Sequence, residues 1–305
     1  MALFCMLAAP PAQAAGWSEG AHMPTARAYA GAAILGNNLY VIGGGGTSGP
    51  RSMTEIYDIA NKSWSLGAAL PAGLQQFGIA VLGGKIYVAG GYKAADVREG
   101  TAEGETVELW MFDPSIGVWV NRTPMPGARS GFGLIAVGAK LYAVNGKASS
   151  IYVYDPSTDA WTSAKSSMPA SRMGAAYAGL GDKIYVIGGA EGAGSTARVD
   201  VYDAVKDSWC AGAPLPSARQ SLSAAVADDS IHVAGGQSVT PPKTYADHFV
   251  FKSGSWSKSS SMPTARHAAV ATAAGGKFYV IGGSPGAGVY TVFTQTDVME
   301  IWSSK

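Results

Sequence analysis

Cysteine is nearly absent from this 305-residue chain: there are two, Cys5 and Cys210. The C-x-x-C spacing of zinc and redox sites is missing, and one disulfide is the most the chain could make. Histidine occurs four times and is never spaced for a metal. Charged residues make up only 14% and the formal net charge is +1, so the basic footprint of a nucleic-acid binder is lacking. No apolar run reaches the roughly 20 residues that a helix needs to cross a bilayer. These absences leave a nearly neutral globular protein without metal, cofactor, nucleic-acid partner or membrane span as the expectation, and a monomer as its expected state.

Glycine, by contrast, is abundant at 41 residues, and apolar residues reach 47%. The glycines do not follow the three-residue period of collagen. Together with many Tyr, Val and Ile they indicate short strands joined by tight turns. The first residues, MALFCMLAAPPAQAA, stand apart. An apolar stretch leads to Ala12-Gln13-Ala14, a small-x-small pattern like a signal-peptidase site, although the positive start of a leader is missing. Residues 1–14 are expected to be a signal peptide and 15–305 the folded domain, which makes the protein extracytoplasmic, either periplasmic or secreted. Removal of the leader would take Cys5 with it, leaving Cys210, read as a small core residue of a strand.

The pentapeptide MPTAR occurs twice, at Met23–Arg27 and Met262–Arg266. It belongs to a unit found six times, the others starting at Leu70-Pro71, Met125-Pro126, Met168-Pro169 and Leu215-Pro216. Four residues on stand Arg27, Leu74, Arg129, Arg172, Arg219 and Arg266. Sixteen further on comes a glycine pair or its relic: Gly43-Gly44, Gly90-Gly91, Asn145-Gly146, Gly188-Gly189, Gly235-Gly236 and Gly282-Gly283. Between them lie two strand-like segments around Gly-Asn, Gly-Gly or Gly-Asp, pairs that suit tight hairpins because they accept positive φ. Then follow an aromatic-acid pair (Tyr57-Asp58, Phe112-Asp113, Tyr154-Asp155, Tyr202-Asp203) and a spaced tryptophan (Trp64, Trp119, Trp161, Trp209). Phe251 and Trp256 serve a shortened fifth unit. Each unit therefore reads as four strands, A to D.

The double glycine, the Tyr-Asp and the spaced Trp, with Arg ahead of strand A, resemble the kelch repeat from Gly16 onward. The resemblance implies an all-β fold: a six-bladed kelch β-propeller with four antiparallel strands per blade around a channel. The last unit stops at MEIWSSK, one strand short, and GWSEGAHMP follows the expected leader, where Trp17 sits at the spacing of a strand D tryptophan. The N-terminal strand is thus expected to complete the last blade, which hides a sheet edge and closes the ring.

The B–C connections vary most in length, which points to the B–C/D–A face as the recognition surface. Arg27, Arg129, Arg172, Arg219 and Arg266 are expected on that face at the channel mouth, with Gln75 beside Leu74. Two readings stay open for them. Each Arg could tie neighbouring blades through carbonyls, or some could hold an anionic ligand with their planar forks; some kelch domains use Arg here to grip acidic peptides or small ligands. The expected partner is accordingly a protein or a small anionic ligand.

Three enzyme families share the resemblance. Copper oxidases similar to galactose oxidase need Tyr and His ligands and a Cys–Tyr link that are not found here. Plant nitrile-specifier proteins need a run of acidic and His ligands that is also missing. Bacterial periplasmic sialic-acid mutarotases need a carboxylate and an Arg, and Glu191 with Arg198 resembles that arrangement. An isomerase or mutarotase acting on an acidic sugar is therefore the alternative function. Glu191, Arg198 and His267, the last as a general base beside Arg266, are its catalytic candidates.

Overall fold

A computed structural model describes residues 15–94, 104–146, 148–192 and 194–304. The signal-peptide expectation concerns residues 1–14, outside the described residues, as does much of the long B–C segment of the second unit.

The sequence units become sheets because each hairpin has its glycine or Asp at the turn and apolar residues on alternating positions. The first sheet runs Gly31–Leu35, Asn38–Ile42, Thr54–Asp58 and Ser63–Gly67 as strands A to D, each antiparallel to the next. Blade two repeats this with Gly78–Leu82, Lys85–Ala89, Leu109–Asp113 and Val118–Arg122. Blade three uses Gly133–Val137, Lys140–Val144, Tyr152–Asp155 and Ala160–Ser163. Blade four uses Ala176–Leu180, Lys183–Ile187, Val199–Asp203 and Ser208–Ala211. Blade five uses Ser223–Ala227, Ser230–Ala234, His248–Lys252 and Ser255–Lys258. The last sheet takes its strands A to C from Val270–Ala274, Lys277–Ile281 and Met299–Ser303, and its strand D from the N-terminal Gly16–Glu19. Among the described residues this gives six four-stranded sheets, and their A strands contact one another in order around a closed circle.

Strand B is the core of each sheet: Leu39, Val41, Ile42, Ile86, Val88, Ile184 and Val186 are fully buried. The core lies between blades, since each cluster draws residues from two adjacent sheets. This follows from a sheet having two faces that both need cover. At the closure, Trp17 pairs with Trp302 across the sheet, and its indole N–H donates to the Ser260 carbonyl of blade five at 2.7 Å. The same rung recurs from Trp64 to Ala21, Trp119 to Ala68, Trp161 to Thr123 and Trp256 to Ala213. Trp17, Trp64, Trp119, Trp161 and Trp256 are therefore inter-blade ties.

Two histidines meet at the closing seam. His232 replaces the strand B tyrosine and hydrogen-bonds His248 at 2.9 Å, both buried among Trp17, Phe278 and Trp302. Burial pushes both imidazoles down, to about 4 and about 3, so both stay neutral. Cys210 departs from expectation. It is exposed, because strand D is the outermost strand and its side chain leaves the sheet on the solvent side.

Candidate functional site: the channel mouth

Two roles are open to the five repeat arginines, tying blades together or gripping an anionic ligand. The structure places Arg27, Arg129, Arg172, Arg219 and Arg266 inside the protein, each at 1–2% exposure. Arg27 donates to Glu55 at 2.7 Å and to the Val41 carbonyl at 3.0 Å. Arg172 pairs with Asp200 and donates to the Gly188 and Val186 carbonyls. Arg266 donates to Glu300 at 2.5 Å and to the Val280 carbonyl. Arg219 reaches Asp247 at 3.1 Å and lies over the rings of Tyr245 and Phe249. Burial lowers the pKa of Arg27, Arg219 and Arg266, and the partner carboxylates act against it. A buried charge survives only with such a partner, and each of these heads is committed within its own blade.

The two remaining blades obey the same rule by other means. In blade three Tyr152 stands where Glu55 stands in blade one. Arg129 stacks on its ring at 4.2 Å and donates to the carbonyls of Ala143, Asn145 and Ser150. In blade two the Arg is Leu74, and the position of the acid holds Trp110. Loss of the cation goes with loss of the anion. A readable sign of the pairing was present, since Glu55, Asp200 and Asp247 each follow their Arg by 28 residues.

Two residues beyond each Arg or Leu the chain turns into left-handed φ: Tyr29 at 56°, Gln76 at 56°, Gly131 at 62°, Gly174 at 61°, Ser221 at 53° and Ala268 at 52°. Four of the six are not glycine, and each such turn costs about 1–2 kcal/mol. Inter-blade bonds offset the cost. Ala268 accepts from Tyr29 N–H, Tyr29 from Gln76, Gln76 from Gly131, Gly174 from Ser221, and Ser221 from Ala268, at 2.6–3.0 Å. Five backbone rungs thus rim the channel, all but that between blades three and four.

The seam between blades three and four is built differently. There the Gly131 carbonyl accepts from the Tyr177 hydroxyl at 2.8 Å. The Tyr177 ring lies against Gly133, where any side chain would collide with it at 2.4 Å. Asn145, in the place of the first glycine of its pair, donates to Tyr177 Oη and to the Arg172 carbonyl, and accepts from Arg172 N–H. Trp209 Nε1, the rung-forming atom of blade four, is buried and has no partner among the described residues.

Inside the rim lies a cavity of about 520 Å³. Tyr29, Gln76, Ser221, Gln220, Gln237 and Tyr177 supply its polar groups, and Ala32, Ile79, Ile135, Ala224 and Ala271 its apolar wall. No Asp, Glu, Lys, Arg or His lines it among the described residues. Tyr29 is partly buried at the mouth. Burial raises its phenol pKa, with the Thr291 and Ser221 hydroxyls acting in the other direction.

Gln75 was singled out beside the channel, but it pairs with Tyr92 and its side chain fills the space next to Gly45. Its neighbour Gln76, on the left-handed position, lines the cavity instead. His267 is fully buried and does not face the channel. It bridges to Ser284, with Nε2 at 2.9 Å from the Gly286 carbonyl and 3.1 Å from Thr291 Oγ1, bracing the B–C insert of the last blade. Glu191 and Arg198 are brought together at 3.4 Å on the blade-four hairpin, both partly exposed, and Arg198 is also held by Asp200 at 2.9 Å.

A closed ring of four-stranded antiparallel sheets with a mouth of inter-blade rungs defines a β-propeller. The family comparisons specify which kind. The KLHDC2/KLHL20/DRC7 Kelch-repeats domain matches residues 143–283, and the Kelch motif matches residues 26–71 and 74–126. The chain belongs to the kelch-repeat family. It is 30% identical to mouse Kelch-like protein 35 over 113 residues, which is 35% of this chain and 20% of that protein. It is 29% identical to Kelch repeat and BTB domain-containing protein 8 of Xenopus tropicalis over 117 residues, 35% of this chain and 18% of that protein. The chain thus spans about a fifth of the length of these curated relatives. A solved structure titled "Structure of YjhT" shares the fold with a TM-score of 0.79 at 20% identity, covering 92% of this chain and 95% of that one.

Proposed function

We propose that this protein is a binding module that recognises a protein partner on the B–C/D–A face, around the channel mouth. The observation that carries this reading is where the exposed apolar side chains lie. Met173, Val239, Tyr290 and Phe293 are 38–72% exposed and all belong to connections at that end. The other large exposed apolar residues, Leu66, Ile116, Val118 and Val205, are spread over strands D and C–D turns. Apolar surface gathered around a cavity marks an interaction site, whereas scattered residues need no explanation. Capture on immobilised protein tests the reading: proteins retained by the wild type and by Leu66→Asp/Val205→Asp should be lost from Tyr290→Asp/Phe293→Asp. Equal retention by both double variants would remove this face as the surface.

An anionic ligand gripped by the repeat arginines has less support, because those guanidinium groups are buried and bonded. Isomerisation of an acidic sugar keeps Glu191 and Arg198 as its residues. Anomeric exchange of sialic acid followed by NMR, with and without protein, decides it, and an unchanged rate would end that reading. The proposed location is extracytoplasmic, resting on the leader-like first residues; N-terminal sequencing of the mature protein should begin near residue 15.

A further inference from the structure

Resting on the binding reading above, we infer that the mouth cavity is an anchor site for one uncharged, apolar or aromatic side chain of a protein partner, entering on the side of blades three and four. The opening has a structural origin. The six left-handed mouth positions point inward, and four carry side chains: Tyr29, Gln76, Ser221 and Ala268. The two that carry none, Gly131 and Gly174, belong to adjacent blades. The space is therefore lopsided, and Met173 stands exposed at its edge.

The lining selects the occupant. Among the described residues the cavity wall holds no formal charge, and Arg27, Arg172 and Arg266 are bonded within their own blades. A charged group brought in would lose its water and find no counter-ion. Gln76, Gln220 and Gln237 offer both donors and acceptors, which suit the amide groups of a peptide. Gln237 is buried, and its Oε1 accepts from Gly288 N–H at 2.7 Å, so its Nε2 is left to donate. The volume of about 520 Å³ lies within the ordinary range for ligand pockets. Apolar surface continues outward over Val239 to Tyr290 and Phe293, on the connections of blades five and six. An occupant of both the cavity and this arc is larger than a sugar ring, which favours a polypeptide.

The test is selection of a displayed random 12-residue peptide library on the intact protein, with a panel of neutral glycans run in parallel. Enriched peptides should share one uncharged apolar or aromatic position, and placing Asp there should weaken binding at least tenfold. Gly131→Tyr fills the opening, and the backbone tolerates it because Tyr29 holds the same φ in blade one. It should weaken binding at least tenfold while Tm falls by only a few degrees, the cost of one left-handed non-glycine turn. Met173→Asp, at an exposed position, is the second variant and should weaken the same peptides. Peptides that require a charged residue at the anchor would overturn the inference. Peptides insensitive to Gly131→Tyr and Met173→Asp but lost on Tyr290→Asp/Phe293→Asp would overturn it while leaving the face as the binding surface. Insensitivity to all of these variants would overturn both. Glycans that bind and are displaced by Gly131→Tyr, with no peptide enriched, would replace the protein partner by a neutral carbohydrate.

Discussion

Blades one and two pack equivalent positions with opposite chemistry. Blade one buries Arg27 against Glu55, whereas blade two fills the same positions with Leu74 and Trp110. Blades one, four and six likewise close an Arg–carboxylate pair, whereas blade three stacks Arg129 on Tyr152. The contrast shows that the repeat conserves a filled and electrically satisfied space rather than a charge. Breaking a buried pair on one side is costly, while replacing both partners by apolar groups of suitable shape is often neutral.

The largest effect should come from orphaning a regular pair. Glu55→Ala leaves Arg27 buried without its carboxylate and should cost about 3–5 kcal/mol in urea unfolding. Arg27→Leu with Glu55→Trp, which imports the blade-two solution, should recover most of that loss. If the double variant is as unstable as the single one, the two blades are not equivalent.

Acid should come next, acting on the closing seam of blades five and six. His232 and His248 are neutral when folded, with pKa values of about 4 and about 3, and ionise near 6.5 when unfolded. The unfolded state therefore binds more protons between those limits. Their stabilising contribution is complete above about pH 6.5 and declines as pH falls toward 4, by a few kcal/mol. His232→Tyr restores the residue of the other blades and should flatten that part of the profile in thermal melts between pH 7 and 4. An unchanged slope would show that the acid response arises elsewhere.

A smaller loss is expected at the seam of blades three and four. Asn145→Ala removes a side chain that makes three hydrogen bonds and should cost about 1–3 kcal/mol. Smallest is Tyr177→Phe, which deletes the rung to the Gly131 carbonyl and should cost about 1 kcal/mol. Amide exchange should report both losses as faster opening of strand A in blades three and four, with the other seams unaffected.

Much of the fold could be read directly. Repeated glycine pairs, hairpin turns and spaced tryptophans announce one unit, and Trp17 at the N-terminus completes the sheet of Met299–Ser303. The mouth was harder to read. Tyr29, Gln76, Ser221 and Ala268 share no side-chain chemistry, only a backbone conformation. The offset of 28 residues from Arg to acid was visible, yet blades three and six do not follow it. Nothing in the spacing of His232 and His248 showed that they would touch, because the contact depends on strands B and C lying side by side.

The repeat, the strand pattern within each unit and the borrowed N-terminal strand are legible residue by residue, because these depend on short-range periodicity and turn chemistry. That the arginines are internal, that the described cavity wall carries no charge and that it opens toward Gly131 and Gly174 came from the packing of the blades. Those properties arise where neighbouring sheets meet, and burial there forces each ionic group to find a partner.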